Sequence, residues 1–203
     1  MKRPFFLSAL SALMLTICVA AITDTRGEAA SPEKDVARLY PARMSVCWHD
    51  ADRIDELALN ARGKLTFFYI DAKLGSALQR LREDQSESGP SSAIPKSVFA
   101  YASKYNAKKR HVLFVARVQA PKLWTFDSGK ISAGGYSPKE SDIITGASSN
   151  PYTELRSGAR ELDRGYDGFI GFFVPAEHVK PGSEIKIGYD TDMTDWKVPS
   201  KNE

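Results

Sequence analysis

The chain has 203 residues, 42% of them hydrophobic and 26% charged, and its 28 basic and 25 acidic side chains give a formal net charge of +3. This length fits one domain that buries its core without needing disulfide bonds. A nearly balanced charge excludes the strongly basic surface typical of nucleic-acid-binding proteins, so we expect no nucleic-acid partner.

The first thirty residues have the order of a secretory signal peptide. Lys2 and Arg3 precede an uncharged, largely apolar run over residues 5–22, and small residues follow up to Ala29 and Ala30. We therefore predict a signal peptide over residues 1–29, a single exported globular domain over residues 30–203, and a periplasmic or extracellular location. Cleavage lowers the basic count from 28 to 25 and the acidic count from 25 to 23, so the net charge falls from +3 to +2.

Two other interpretations of the N-terminus stay open. The apolar run approaches the roughly 18–20 residues that span a bilayer, so it also fits an uncleaved N-terminal anchor. The segment Leu15-Thr16-Ile17-Cys18 resembles a bacterial lipobox, which implies lipid attachment at Cys18, although Ile17 stands where that pattern has Gly, Ala or Ser. No later stretch is long and apolar enough to span a membrane, so we expect no stable membrane insertion after cleavage.

The N-terminal half mixes strand and helix patterns. Residues 43–48 alternate polar and apolar side chains and residues 65–70 are aromatic and β-branched, so both predict strands. Asp50 or Asp52 caps a predicted helix that ends at Gly63. The apolar face of that helix carries Ile54, Leu57, Ala58 and Ala61. Two further helices are predicted, one carrying Leu74, Leu78 and Leu81 and one beginning at Pro95.

The C-terminal half is rich in strand patterns. The predicted strands cover residues 112–116, 123–126, 169–174 and 185–189. The segment from Asp127 to Pro151 is rich in Gly, Ser and Asn and predicts the longest loop, whereas residues 153–164 fit either a helix or a polar strand. A Pro181-Gly182 turn favours antiparallel pairing of the last two predicted strands.

These elements predict an α+β fold. We expect an antiparallel β-sheet or an immunoglobulin-like β-sandwich, with two or three helices in the N-terminal half. The tail over about residues 160–190 resembles the last strands of exported immunoglobulin-like sandwiches, in which an apolar strand ends at Val-Pro and a turn precedes a final strand.

Cys47 is the only cysteine beyond the predicted signal, and it lies beside His49 and Asp50. A thiol, an imidazole and a carboxylate are the groups that nucleophilic catalysis requires. Cys47 and His49 also supply two ligands to a zinc ion, but no second pair is visible. We expect Cys47 to be buried beside Val46 and Trp48. An exported thiol-dependent enzyme or hydrolase using Cys47 and His49 is the alternative.

The acidic segment after the last predicted strand contains Asp190, Asp192 and Asp195. Oxygen ligands at alternate positions suit calcium, but this segment lacks the glycine and the distal glutamate of an EF-hand loop. The competing interpretation is a solvated turn in which these side chains cap backbone amides. A calcium-stabilised extracellular module is therefore a further alternative, and we predict no other cofactor.

Two surfaces remain as binding candidates. The predicted loop from Asp127 to Pro151 has four aromatic residues on it or near it, which suit stacking against a sugar. They are Trp124, Tyr136, Tyr152 and Tyr166. A basic cluster over residues 104–111 fits the solvated C-terminal end of a helix, or alternatively a contact with an anionic lipid head group or a polyanionic glycan. We conclude that the sequence favours an exported, non-catalytic binding or accessory protein, whose partner is another envelope or extracellular protein or a glycan.

Overall fold

A computed structural model of the protein describes residues 32–54, 57–84, 96–147, 150 and 152–200, so the predicted signal peptide lies outside the described residues. The helices are α1 (Pro32–Leu39), α2 (Ala72–Asp84) and α3 (Lys96–Ala102). The strands are β1 (Met44–His49), β2 (Asp52–Ile54), β3 (Leu57–Leu59), β4 (Gly63–Ile70), β5 (His111–Ala120), β6 (Trp124–Asp127), β7 (Ile131–Ala133), β8 (Ile143–Ile144), β9 (Ala159–Leu162), β10 (Tyr166–Pro175), β11 (Glu184–Tyr189) and β12 (Asp192–Lys197).

The strands form antiparallel sheets. The largest has five strands in the order β1-β4-β5-β10-β8, and a second has three in the order β12-β11-β7. Two ribbons, β2-β3 and β6-β9, complete the β structure of the described residues. None of the helices in the described residues is long and apolar enough to cross a membrane.

The helices cover one face of the five-stranded sheet. Phe68 and Ile70 of β4 point to this face, and so do Leu113 of β5 and Phe173 of β10. They pack against apolar side chains of all three helices, which are Val36, Leu39, Leu74, Ala77, Leu78, Leu81, Val98, Phe99, Tyr101 and Ala102. Because side chains alternate along a strand, the residues between these belong to the opposite face.

The opposite face packs against the smaller sheets. The central strands contribute Leu65, Phe67, Tyr69, Phe114, Ala116, Val118, Ile170, Phe172 and Val174 to this second core. The covering side chains include Trp124 of β6, Ile187 of β11 and Trp196 of β12. The predicted α+β fold with helices in the N-terminal half is confirmed. The strands form antiparallel sheets, and the large sheet carries helices on one face and packs against the smaller sheets on the other.

A buried guanidinium connects α1, the start of β1 and α2. Arg43 is 1% exposed, and its Nε and Nη2 donate to Asp71 Oδ2 at 3.0 and 2.7 Å, while its Nη1 donates to the Leu39 carbonyl at 3.1 Å. Asp71 Oδ1 also accepts from the backbone N–H of Leu74 at 2.8 Å, which satisfies a free amide in the first turn of α2. The paired, hydrogen-bonded charge is what allows burial of Arg43.

The helix predicted from Asp50 or Asp52 to Gly63 is wrong. This segment forms the β2-β3 ribbon, in which Asp52 lies opposite Leu59. Asp50 and Asn60 have positive φ angles of 49° and 56°, so the chain turns at both ends of the segment and no helix runs through it. The spacing of its apolar residues therefore did not reflect a helical face.

Two predictions for the C-terminal half are also wrong. The segment from Asp127 to Pro151 is not a structureless loop, because it contains β7, β8 and single 3-10 turns at Ser128–Lys130 and Glu140–Asp142. β10 pairs with β5 and β8, not with β11, so the last two predicted strands lie in different sheets. The reason is that β10 is apolar on both faces and occupies an inner position in the five-stranded sheet. Residues 153–164 contain the short strand β9.

Asp142 holds the segment around β7 and β8 in place. Its carboxylate accepts hydrogen bonds from the Lys108 ammonium, from the Tyr136 hydroxyl at 2.5 Å and from the Lys139 N–H at 2.9 Å, and the residue is 2% exposed. Burial alone raises the pKa of Asp142, but these hydrogen bonds outweigh it and hold the pKa below its ordinary value of 3.8. The ionised form is therefore the one that stabilises this part of the fold.

We expect Asp142→Asn to lower the free energy of unfolding by about 1–3 kcal/mol at pH 7, because a buried charged acceptor loses its hydrogen bonds. A carboxyl group with a depressed pKa in the folded state stabilises fully above its unfolded pKa of about 3.9, and the effect is lost as the pH falls through the folded pKa. The difference between wild type and variant should thus shrink below about pH 4. Urea unfolding at several pH values measures this difference, and the exposed Glu140→Gln is the matched control.

Candidate functional site

The end of β1 meets the start of β12 at Asp192. His49 Nδ1 lies 2.8 Å from Asp192 Oδ2, and the backbone N–H of Asp50 donates to the same oxygen at 3.1 Å. The Cys47 thiol donates to the Asp192 carbonyl at 3.1 Å. The structure therefore brings together two candidate sets that are far apart in sequence, the Cys47-His49-Asp50 group and the acidic segment.

Aromatic rings pack around His49. Its imidazole lies 5.3 Å from the Trp124 ring and 4.7 Å from the Tyr189 ring, measured between centroids. The Tyr189 hydroxyl accepts a hydrogen bond from the Asp127 N–H at 2.8 Å, and Tyr189 and Trp124 are only 1% and 4% exposed. These contacts fix the imidazole between two rings and a carboxylate.

Gly63 makes room for this arrangement. It pairs with His49 across β1 and β4, and a Cβ atom at position 63 would lie 2.6 Å from the Trp124 ring. That separation is well inside van der Waals contact, so any other residue would displace the indole. The glycine therefore allows Trp124 to reach the imidazole.

A cleft of about 470 Å³ opens above His49, Trp124 and Tyr189, which form its floor. We call it the His49 cleft. It is lined by His49, Asp50, Ala51, Arg62, Trp124, Thr125, Lys130, Tyr189, Thr191 and Asp192. The charged side chains at its rim are paired, because Arg62 Nε lies 2.5 Å from Asp50 Oδ2 and Lys130 Nζ lies 2.7 Å from Asp190 Oδ2. The hydrogen bond between Lys130 and Asp190 raises the pKa of the lysine and lowers that of the carboxyl group, so this pair is ionised at neutral pH.

Cys47 is completely buried, which confirms the expectation for this residue. It belongs to the core between the five-stranded sheet and the smaller sheets, and its thiol is hydrogen-bonded to a backbone carbonyl. A thiol with no exposed surface is out of reach of a substrate in this conformation. His49 is 16% exposed and faces the cleft, so Cys47 and His49 differ in access although they lie two residues apart.

The three carboxylates considered for calcium do not converge. Asp190 pairs with Lys130, Asp192 pairs with His49, and Asp195 is exposed on β12. In the part of the chain that the structure describes, no group of three or more His, Cys, Asp and Glu side chains is placed to hold a metal ion. Asp190 and Thr191 form an exposed turn into β12, at which Asp190 has a φ of 55°, and Asp192 accepts from the backbone N–H of Asp50, as the solvated-turn interpretation expects.

The four aromatic residues considered for sugar stacking lie in different places. Trp124 is in the floor of the His49 cleft, whereas the Tyr136 ring packs 5.2 Å from the imidazole of His178. Tyr166 donates from its hydroxyl to the carbonyl of Tyr152 at 3.1 Å, so these two are neighbours. The four rings therefore do not form one platform.

The basic cluster lies after α3, where Lys108 pairs with buried Asp142.

Several cleft residues carry no signal in the sequence. Arg62, Thr125, Lys130, Tyr189 and Thr191 were not candidates, although Lys130 belongs to the segment expected to bind a partner. His49 and Asp192 are 143 residues apart, and no local pattern predicts a contact over that separation.

The chain has no match among models of known protein families, curated proteins or solved structures.

We expect Cys47 to be unreactive in the folded protein. A disulfide reagent such as DTNB needs an accessible thiolate, which a fully buried and hydrogen-bonded thiol does not provide. Labelling followed by peptide mapping, which separates Cys47 from Cys18, should find modified Cys47 only in denaturant. Rapid modification of Cys47 under native conditions would contradict the buried position and would revive the thiol enzyme.

Proposed function

We propose that this chain is an exported, non-catalytic binding protein that takes a neutral glycan in the His49 cleft. The observation that carries the proposal is the pairing of charges in the cleft. Arg62 is paired with Asp50 and Lys130 with Asp190, and the carboxylate of Asp192 is hydrogen-bonded to His49 and to the Asp50 N–H.

This pairing favours an uncharged ligand. Each of the two cations already has a carboxylate beside it, so the cleft presents little net charge to attract a charged ligand. A sugar hydroxyl both donates and accepts, so it can bond to the remaining lone pairs of the carboxylates and to the remaining N–H groups of Arg62 and Lys130 without separating them. Thr125 and Thr191 add two hydroxyl-bearing side chains to the lining.

The floor of the cleft is rigid, which favours binding of a ligand by the polar groups above it. Trp124 and Tyr189 are buried and hold the imidazole in place. Polar side chains form the rim of the cleft. The buried thiol of Cys47 favours binding over thiol-dependent catalysis, which is the alternative for this site.

Export is part of the proposal and rests on the order of charge, apolar core and small residues over residues 1–29. We expect the mature chain to begin near residue 30. Mass spectrometry of the protein recovered from the envelope or the culture fluid measures its N-terminus. A chain that starts at Met1 and stays in the cytoplasm would contradict export.

The binding experiment is a glycan array followed by calorimetry. We expect the wild type to retain neutral oligosaccharides, and the double variant Arg62→Ala/Lys130→Ala to bind the best of them at least about tenfold more weakly, since both side chains line the cleft. The side chain of Arg62 is 58% exposed and that of Lys130 is 50% exposed, so the variant should fold normally.

Lys180→Ala is the matched control, because Lys180 is exposed and does not line the cleft. It should bind the same oligosaccharide as well as the wild type. If neutral glycans fail to bind, or if they bind equally to the double variant, the cleft is not a glycan site.

A further inference from the structure

A second concavity, of about 550 Å³, lies next to the His49 cleft, and we call it the Leu123 groove. Its apolar walls include Trp48, Ala61, Pro121 and Leu123, and its charged residues are Lys122 and Arg164. The two sites lie side by side along three segments of the chain. Residues 48, 61 and 123 line the groove, and the residues that follow them, 49, 62 and 124, line the cleft.

Leu123 gives the groove an exposed apolar side chain. Among the side chains that the structure describes, three large apolar ones are exposed, namely Leu59, Leu123 and Tyr152, and of these Leu123 lines the groove, at 55% exposure. Pro121 and the partly exposed Trp48 also belong to the lining. An exposed apolar side chain in a concave place with apolar walls and a charged rim fits an interaction site.

The charge of the groove is unbalanced. Its lining contains two cations and no carboxylate, and within the described part of the chain neither Lys122 nor Arg164 forms an ion pair. A third cation, Lys64, lies at its edge with Nζ 4.8 Å from the centroid of the Trp48 ring. This contrasts with the His49 cleft, where charges are paired, and it favours an occupant with negative charge.

We propose that the Leu123 groove docks a segment of a second exported protein, in which an apolar side chain is flanked by carboxylates. The apolar side chain enters between Trp48 and Leu123, and the carboxylates face Lys122 and Arg164. A concave site fits an inserted side chain, whereas a lipid surface is bound by protruding apolar side chains and would leave the groove unfilled. This proposal concerns a different site and does not depend on glycan binding in the His49 cleft, although it rests on the proposed export of the chain.

The test uses a displayed library of random twelve-residue peptides selected on the intact chain. We expect the selected peptides to share a large apolar residue with Asp or Glu within a few positions. Binding of a synthetic selected peptide should weaken at least about tenfold in Leu123→Ser, as for loss of an anchoring contact. It should weaken to a similar extent in Lys122→Glu/Arg164→Glu and should decrease with added salt.

Two matched variants separate these effects from general changes of the surface. Tyr152→Ser removes another exposed apolar side chain, and Lys180→Glu reverses another exposed charge, so both should bind the peptide within about twofold of the wild type. Equal melting temperatures of all variants show that the fold is retained, which the exposure of the substituted side chains predicts.

Any one of four results would overturn the proposal. The first is that the selected peptides lack the apolar and acidic pattern. The second is that they bind equally well to Leu123→Ser and to the wild type. The remaining two concern other occupants of the groove. Vesicles of phosphatidylcholine and phosphatidylglycerol would bind the chain through the groove, which would make the occupant an anionic lipid surface. Sedimentation velocity would show dimers that Leu123→Ser dissociates, which would make the occupant a second copy.

Discussion

Asp192 connects the five-stranded sheet to the three-stranded sheet, and the His49 cleft depends on that connection. Its side chain and carbonyl together accept hydrogen bonds from three residues at the end of β1. Thr194 donates to the Val46 carbonyl at 2.9 Å on the same two strands. These contacts join residues 142 to 148 positions apart in the chain, so they form only once the intervening strands have folded into the two sheets.

The central strands explain why the cleft lies at the edge of the molecule. β4, β5 and β10 are covered by helices on one face and by the smaller sheets on the other, so their side chains are committed to the two cores. β1 is an edge strand, and its last residue extends beyond the core that surrounds Cys47. His49 is therefore held rigidly by the fold and still reaches the cleft, which suits a residue that binds a ligand.

The sequence could predict the elements that have a local cause. The strands over residues 65–70 and 112–116 were predictable because burial on both faces makes them apolar without interruption, and burial of Cys47 followed from its apolar neighbours. The β2-β3 ribbon was missed, because Asp50 fits a helix N-cap as well as the positive φ angle that it adopts, and nothing local decides between the two roles. The pairing of His49 with Asp192 was missed because a contact between distant residues leaves no periodicity in the sequence.

A double-mutant cycle on His49 and Asp192 tests most directly whether Asp192 joins the sheets and builds the site. His49→Phe keeps a ring between Trp124 and Tyr189 but removes the donor nitrogen, and Asp192→Ala removes the acceptor. Free energies of unfolding in urea for the wild type, the two single variants and the double variant give the coupling energy. We predict a coupling of about 1–2 kcal/mol at pH 7. Effects that add to within about 0.3 kcal/mol would contradict the account.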